Sequence, residues 1–236
     1  MVFAKGTDKG RIRDNNEDCL YADGKLFVIA DGMGGHNAGE VASKMAVDSV
    51  TSVLTKEVSN EKMEMKRAYA IANTLIYKNS KDDQKGMGTT LDVCFLNNDT
   101  LHIGHVGDSR VYIISGGEIE KITTDHSYIE MLLLQGQITP EEAEQSPNKH
   151  VITRAIGVDE QVEMDYYQRK LSDKDILLMC SDGLSDMLPE KDMLDIILLN
   201  AATLDYAVKK LIDAANENGG QDNISVIIAG YSAKEE

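Results

Sequence analysis

Leu26-Phe27-Val28-Ile29-Ala30-Asp31-Gly32 is an apolar run of five residues that stops at a carboxylate and a glycine. A run this short, rich in β-formers and ended by turn residues, predicts a buried strand at about 25–30. Such a strand delivers Asp31 to the rim of a sheet. Gly32 lets backbone approach a ligand closely and leaves its own carbonyl available as a donor. Ile176-Leu177-Leu178-Met179-Cys180-Ser181-Asp182-Gly183 repeats the arrangement. Gly219-Gly220-Gln221-Asp222-Asn223 sets an acid just before a Val/Ile-rich strand, and Glu17-Asp18 and Asp108-Ser109-Arg110 occupy similar turns. One Asp-Gly pair alone is more often a turn cap than a catalytic group. Their joint occurrence predicts several strand ends sharing one acidic rim.

Working outward, β-formers ending in turn residues predict further strands at about 89–96, 101–106, 110–115, 162–168, 175–180 and 223–229. Helical spacing of Ala38, Val41, Ala42, Met45, Ala46 and Val53 predicts one helix packed on a sheet. Leu204, Ala207, Val208, Leu211, Ile212 and Ala215 predict a second. A third is expected over about 61–79, with Ala68, Ile71, Ala72, Leu75 and Ile76 inward. Thr139-Pro140-Glu141-Glu142 reads as a helix start, with Thr139 capping, Pro140 at the first position and Glu142 reaching back. It opens a polar surface excursion at 136–156 that could flank a substrate.

Composition narrows the function. The chain has 236 residues, 42% of them hydrophobic, which suits a single domain spanning 1–236. Forty acidic residues against 24 basic ones give a formal charge of −16, which disfavours nucleic acid and anionic membrane as partners. The start of the sequence turns polar at once, so no signal peptide and a cytoplasmic location are expected. Apolar runs of about five residues fall far short of the roughly 20 that a spanning helix needs, so no membrane insertion is expected. The three cysteines, Cys19, Cys94 and Cys180, are odd in number and scattered, so they read as reduced packing thiols. A cysteine phosphatase would need an arginine near its thiolate, typically six positions on; Lys25, Thr100 and Asp186 stand there instead.

Converging carboxylates repel one another unless cations neutralise them. Oxygen-only ligation by carboxylates, a carbonyl and water favours Mg²⁺ or Mn²⁺ over zinc, which more often recruits His or Cys. Two such ions lower the pKa of a bridging water and bind a phosphoryl oxygen together, with no protein nucleophile.

Six ordered segments then carry a family resemblance: Arg13-Asp14-Asn15-Asn16-Glu17-Asp18, Ala30-Asp31-Gly32-Met33-Gly34-Gly35-His36, Met87-Gly88-Thr89-Thr90, Val106-Gly107-Asp108-Ser109-Arg110, Cys180-Ser181-Asp182-Gly183-Leu184 and Gly219-Gly220-Gln221-Asp222-Asn223. Over nearly its whole length the chain resembles the metal-dependent protein phosphatases of type 2C, most closely the compact bacterial members that often oppose membrane-anchored Ser/Thr kinases. The resemblance implies an α+β fold: a four-layer α-β-β-α sandwich of two antiparallel sheets flanked by helices. It implies that Asp31 bridges two ions, with Asp182 and Asp222 completing one site and the Gly32 carbonyl the other, supported by Glu17 or Asp18. Asp108 resembles the ligand of a third ion shared with Asp182; a turn carboxylate bonded to Arg110 is the plain alternative. Arg13 matches the phosphate-binding arginine. Thr89 and Thr90 read either as polar supports under the site or as ordinary strand residues.

The implied activity is hydrolysis of phosphoserine and phosphothreonine by a hydroxide held between Mn²⁺ or Mg²⁺ ions. The implied partners are phosphorylated proteins, a Ser/Thr kinase and its substrates, with the chain acting as a monomer. Met33 stands where animal relatives carry a histidine proposed as the acid for the leaving alcohol. His36 lies three residues on and serves either as substrate contact and proton source or as a helix cap. His102, His105, His126 and His150 read as packing or surface residues. The segment 136–156 corresponds to the family's flap; Ser146-Pro147-Asn148-Lys149-His150 departs from the usual pattern, while Thr153-Arg154-Ala155-Ile156-Gly157 follows it. The rival functions are a catalytically silent regulatory module of the same fold and a phosphohydrolase for small molecules.

Overall fold

The computed structural model describes residues 1–34, 38–55, 60–80, 86–144 (without the Glu144 side chain) and 146–233. Strands β1 (Val2–Asp8), β2 (Asp18–Ala22) and β3 (Leu26–Met33) lead into helices α1 (Ala38–Leu54) and α2 (Glu61–Asn79). Strands β4 (Gly88–Thr89), β5 (Leu91–Asn97), β6 (Thr100–Val106), β7 (Arg110–Ser115) and β8 (Glu118–Lys121) follow, then helices α3 (Tyr128–Leu134) and α4 (Pro140–Glu144). The rest is β9 (Asp165–Lys170), β10 (Ile176–Cys180), α5 (Asp182–Ser185), α6 (Glu190–Leu199), α7 (Leu204–Glu217) and β11 (Ile224–Gly230).

The strands form two antiparallel sheets, ordered β1-β11-β10-β7-β8 and β2-β3-β5-β6-β9, with β4 also pairing β3. Burial on both faces explains the continuous apolar run of β3, where Leu26 through Ala30 are at most 1% exposed. Leu26, Val28 and Ala30 pack towards α1 and α2, against Ala42, Ala46, Ala72 and Ile76. Phe27 and Ile29 face the other sheet, meeting Val111, Leu177, Met179 and Ile227. Alternate residues of β10 and β11, among them Leu178 and Val226, pack outward with Leu184, Met193, Ala207 and Leu211. The result is the expected α-β-β-α sandwich.

The expected helices form, with shifts at the edges of their stripes: Val41 is 37% and Leu75 43% exposed. Thr139 and Glu142 cap α4 reciprocally, with N–H to carboxylate and N–H to hydroxyl distances of 2.9 and 3.3 Å. The strand expected at 89–96 is two strands, because Thr90 leaves the ladder and donates its N–H to Asp31 O at 2.9 Å. At 162–168, pairing begins only at Asp165, while Val162 packs into the core. Strands β1, β2 and β8 have no counterpart in the predicted set. β1 is an edge strand burying only Ala4, so it carries little apolar alternation. Helices α3 and α6 were likewise unpredicted; α6 follows Pro189 and buries just Met193 and Ile197.

The surface excursion starts earlier than 136. It opens at Ser127, which forms an isolated bridge to Ile152 on the way back. The free thiols are as expected, with Cys94 and Cys180 buried and Cys19 partly so. Among the described residues, no helix is long and apolar enough to cross a membrane.

Candidate metal centre and active site

Topology brings the acidic segments to one end of the two sheets. β3 and β10 end at this rim; β2 and β11 begin there, and β6 turns into β7 there. Antiparallel register sets Asp18 directly opposite Asp31, Cys180 opposite Val226, and Cys180 opposite Arg110. Like charges paired across two strands destabilise a sheet, so this register requires neutralisation.

Short polar links hold the acids in place. Thr90 Oγ1 accepts the Asp31 N–H at 2.9 Å, and Thr89 Oγ1 donates to Asp31 O at 2.8 Å. Thr90 Oγ1 also meets Ser109 Oγ at 2.8 Å, joining Asp31 to the Asp108 turn. Both threonines are therefore supports beneath the site. Ser181 Oγ donates to Asp18 Oδ2 at 3.0 Å and accepts the Ser225 N–H at 3.0 Å. Asn223 binds the 9–17 loop: its Oδ1 accepts Glu17 N–H, and its Nδ2 donates to the carbonyls of Lys9 and Asn15. Gly32 and Gly183 are required by close approach, since a Cβ on Gly32 would overlap Gly39 and Glu17 backbone and one on Gly183 the Asn223 carbonyl.

The cluster's electrostatics follow from burial and mutual repulsion. Burial first, then the charges of Asp18, Asp182, Asp108 and Asp222, holds the Asp31 carboxyl well above its usual range. Burial pushes Asp18 and Asp182 up to about 7, the latter with help from Asp186 and Asp222. Asp108 is raised too, by burial and then by Asp182. Burial likewise raises Glu17, with Arg13 opposing. Asp18 Oδ1 and Asp182 Oδ1 are buried without a hydrogen-bond partner. Oxygen ligands raised and orphaned in this way fit a hard divalent cation, which would replace the missing partners and favour the charged forms.

Arg13, Glu17, Asp31, Gly32, Asp108, Asp182 and Asp222 all line one cleft of about 200 Å³. Arg13 reaches it across the mouth, with Nη2 2.6 Å from Asp222 Oδ2 and its side chain 53% exposed. The alternative for Asp108 is corrected: the Arg110 guanidinium pairs with Asp125, at 2.9 Å from Nε and 2.7 Å from Nη2. His36 lies outside the described residues.

Two further side chains belong to the rim. His150, on the excursion, lines three clefts that each include Asp182, the largest of about 830 Å³. Its Nδ1 lies 3.3 Å from Asp186 Oδ2, and one donor atom each from His150, Asp182 and Asp186 fall within 4.8 Å of one another. Asp186 lies one helical turn beyond Asp182, with its N–H donating to the Asp182 carbonyl, a spacing that could have marked it. For His150 no local sequence signal exists.

An α-β-β-α sandwich with six aspartates gathered at one end has the donor set that suits hard divalent cations. The chain belongs to the protein phosphatase 2C family, whose model matches residues 8–225. It is 38% identical over 238 residues to the serine/threonine phosphatase stp of Listeria monocytogenes, covering 94% of this chain and 92% of that protein. It is 38% identical over 245 residues to protein phosphatase PhpP of Streptococcus pneumoniae, covering 100% and 99%. The solved catalytic domain of the serine/threonine protein phosphatase PstP in complex with two manganese ions matches with a TM-score of 0.90 at 34% identity, over 98% of both chains.

Proposed function

We propose that this protein phosphatase hydrolyses phosphoserine and phosphothreonine in proteins at the Asp31 cluster, using two Mn²⁺ or Mg²⁺ ions. The observation that carries it is the set of carboxylates lining one cleft, Glu17, Asp31, Asp108, Asp182 and Asp222, with the Asp182 Oδ1 atom buried there without a hydrogen-bond partner. Asp31 would be shared between the ions, Asp182 and Asp222 completing one site. The Gly32 carbonyl, with Glu17 or Asp18 in support, would complete the other. A third ion would sit at Asp108 and Asp182, where Asp186 and His150 stand close. Bound cations supply a water acidified to hydroxide and positive charge for phosphoryl oxygens.

The chain's own residues do the rest. Arg13 offers a planar fork to two phosphoryl oxygens while Asp222 orients it from one side. Thr89, Thr90 and Ser181 fix the carboxylates, so little reorganisation is needed as charge develops. His36 is the proposed proton source or substrate contact. The excursion carrying His150 borders the cleft where residues flanking the phosphoamino acid would lie. In this reading 1–236 is one catalytic domain acting as a monomer in the cytoplasm, on proteins phosphorylated by a Ser/Thr kinase.

The test is phosphate release from a phosphothreonine peptide after metal is stripped with a chelator, with and without Mn²⁺. Release should require the cation and fall more than about a hundredfold in Asp31→Asn. Cation binding without release would support a silent regulatory module, and faster release from nucleotides than from phosphopeptides a small-molecule hydrolase.

A further inference from the structure

Beneath the rim, two histidines stack with ring centroids 4.6 Å apart, and their partners assign their protons. His126 Nδ1 lies 3.0 Å from the Gly107 backbone N–H, which can only donate. Nδ1 therefore presents its lone pair, the ring is neutral, and the proton sits on Nε2, facing Asp165 Oδ2 at 3.2 Å. His105 differs. Its Nε2 faces the Thr124 carbonyl at 2.9 Å and therefore donates, while its Nδ1 and Asp92 Oδ1, 2.6 Å apart, share one further proton. The environments agree. Burial and then the neighbouring His105 charge lower His126 to about 4, while Asp92 raises His105 against the effect of burial.

Gly107 is the single residue between the end of β6 and Asp108, and its φ of 118° belongs to glycine. That freedom must be removed if the next carboxylate is to point reproducibly. His126 removes it from both sides, since its own N–H donates to Gly107 O at 2.7 Å while its ring accepts Gly107 N–H. The same residue reaches the excursion's return. Its carbonyl accepts Thr153 N–H at 2.7 Å, and its Asp165 partner takes Arg154 Nη1 at 2.6 Å.

We propose that His126 is a positioning residue, which in its neutral, Nε2-protonated form clamps the Gly107 peptide, aims Asp108 at the cation cluster and ties that aim to the excursion through Asp165 and Arg154. This inference rests on the phosphatase reading of the rim, because it gives Asp108 a catalytic purpose.

The test compares His126→Gln, His126→Asn and Asp108→Asn, singly and combined, by kcat/KM on a phosphothreonine peptide and by the Mn²⁺ concentration giving half-maximal rate. Gln places its amide nitrogen near Nε2 and keeps the Asp165 link but not the Gly107 acceptor. Asn places an oxygen near Nδ1 and keeps the acceptor. His126→Gln should lose about tenfold in kcat/KM and need several-fold more Mn²⁺, as expected for an orienting partner of a metal ligand. His126→Asn should recover to within about threefold, and in the Asp108→Asn background His126→Gln should cost less than about twofold. A merely structural role would lower the active fraction without moving the Mn²⁺ requirement. Equal losses in both backgrounds, an Asn variant as poor as the Gln variant, or wild-type behaviour of Asp108→Asn would each overturn the proposal. Asp31→Asn in the same assay separates the two failures: activity there sinks the phosphatase reading, whereas its inactivity beside an unaffected His126→Gln sinks only the clamp.

Discussion

Replacing Asp182 with Asn should stabilise the metal-free protein while abolishing activity of the loaded enzyme, and both effects have one cause. Burial, then the charges of Asp186 and Asp222, raises this carboxyl from 3.8 to about 7. Because the folded-state value lies above the unfolded one, the contribution of the neutral form is complete below about pH 4 and is lost as pH rises through about 7. That displacement of about 3 pH units, at ~1.4 kcal/mol each, bounds the loss at about 4 kcal/mol. Asp18, also held near 7, titrates with the same cluster, so removing one charge should relieve about 1–3 kcal/mol. For a chain of 236 residues, each kcal/mol moves the melting midpoint by about 2–4 °C. Scanning fluorimetry in chelator should therefore show Asp182→Asn melting about 3–10 °C above wild type at pH 8, with no difference at pH 4. Added Mn²⁺ should raise the wild-type midpoint at pH 8 by more than it raises that of the variant, which keeps only the ligands of the other site. A variant less stable than wild type in chelator at pH 8, or an advantage independent of pH, would refute the idea that these carboxylates are held against their own repulsion for a cation.

The other expectations concern single contacts. Arg13→Lys should lower kcat/KM about tenfold, nearly as far as Arg13→Ala, because a point charge cannot serve Asp222 and two phosphoryl oxygens as a fork does; wild-type steady-state kinetics for the Lys variant would contradict this. Gly32→Ala should cost about 2–3 kcal/mol in denaturant titration, since its Cβ would overlap the Gly39 and Glu17 backbone. Asp92→Ala should cost about 3–5 kcal/mol at pH 6, because it removes the ion-pair partner of the buried His105 ring; a loss below about 1 kcal/mol would show that the two form no ion pair. His150→Ala should raise the Mn²⁺ needed for half-maximal rate while leaving the metal-free midpoint unchanged, and a metal titration of activity decides it.

What the sequence discloses is governed by how local each constraint is. β3 and β10 are legible because a strand buried on both faces must be apolar at every position, and the acid that ends each run then stands out. The pairing of Asp18 with Asp31 is a matter of register between β2 and β3, and β2 is half-exposed along its length, so its sequence lacks the contrast that marks a buried strand. β1 is hidden for a related reason: one residue, Ala4, is buried, and its place in the sheet comes from β11, more than 200 residues away in sequence. The excursion's true start at Ser127 depends on a bridge to Ile152, which no composition change announces.

The supports of the site obey the same rule with a sharper consequence. Asn223, Ser181 and His126 each act by joining segments that are distant in sequence: Asn223 to the 9–17 loop, Ser181 to Asp18 and the start of β11, His126 to Gly107 and Asp165. Asn223 and Ser181 are visible only as flanks of an acid, and His126 looks like any packing histidine. Carboxylates announce themselves because charge at the end of an apolar strand is locally anomalous, whereas hydrogen-bonding groups that aim them satisfy local rules and non-local ones together. The identity of the ligands is thus written in the strand ends, while the precision with which they meet a cation is written in residues whose purpose emerges only once both sheets are assembled.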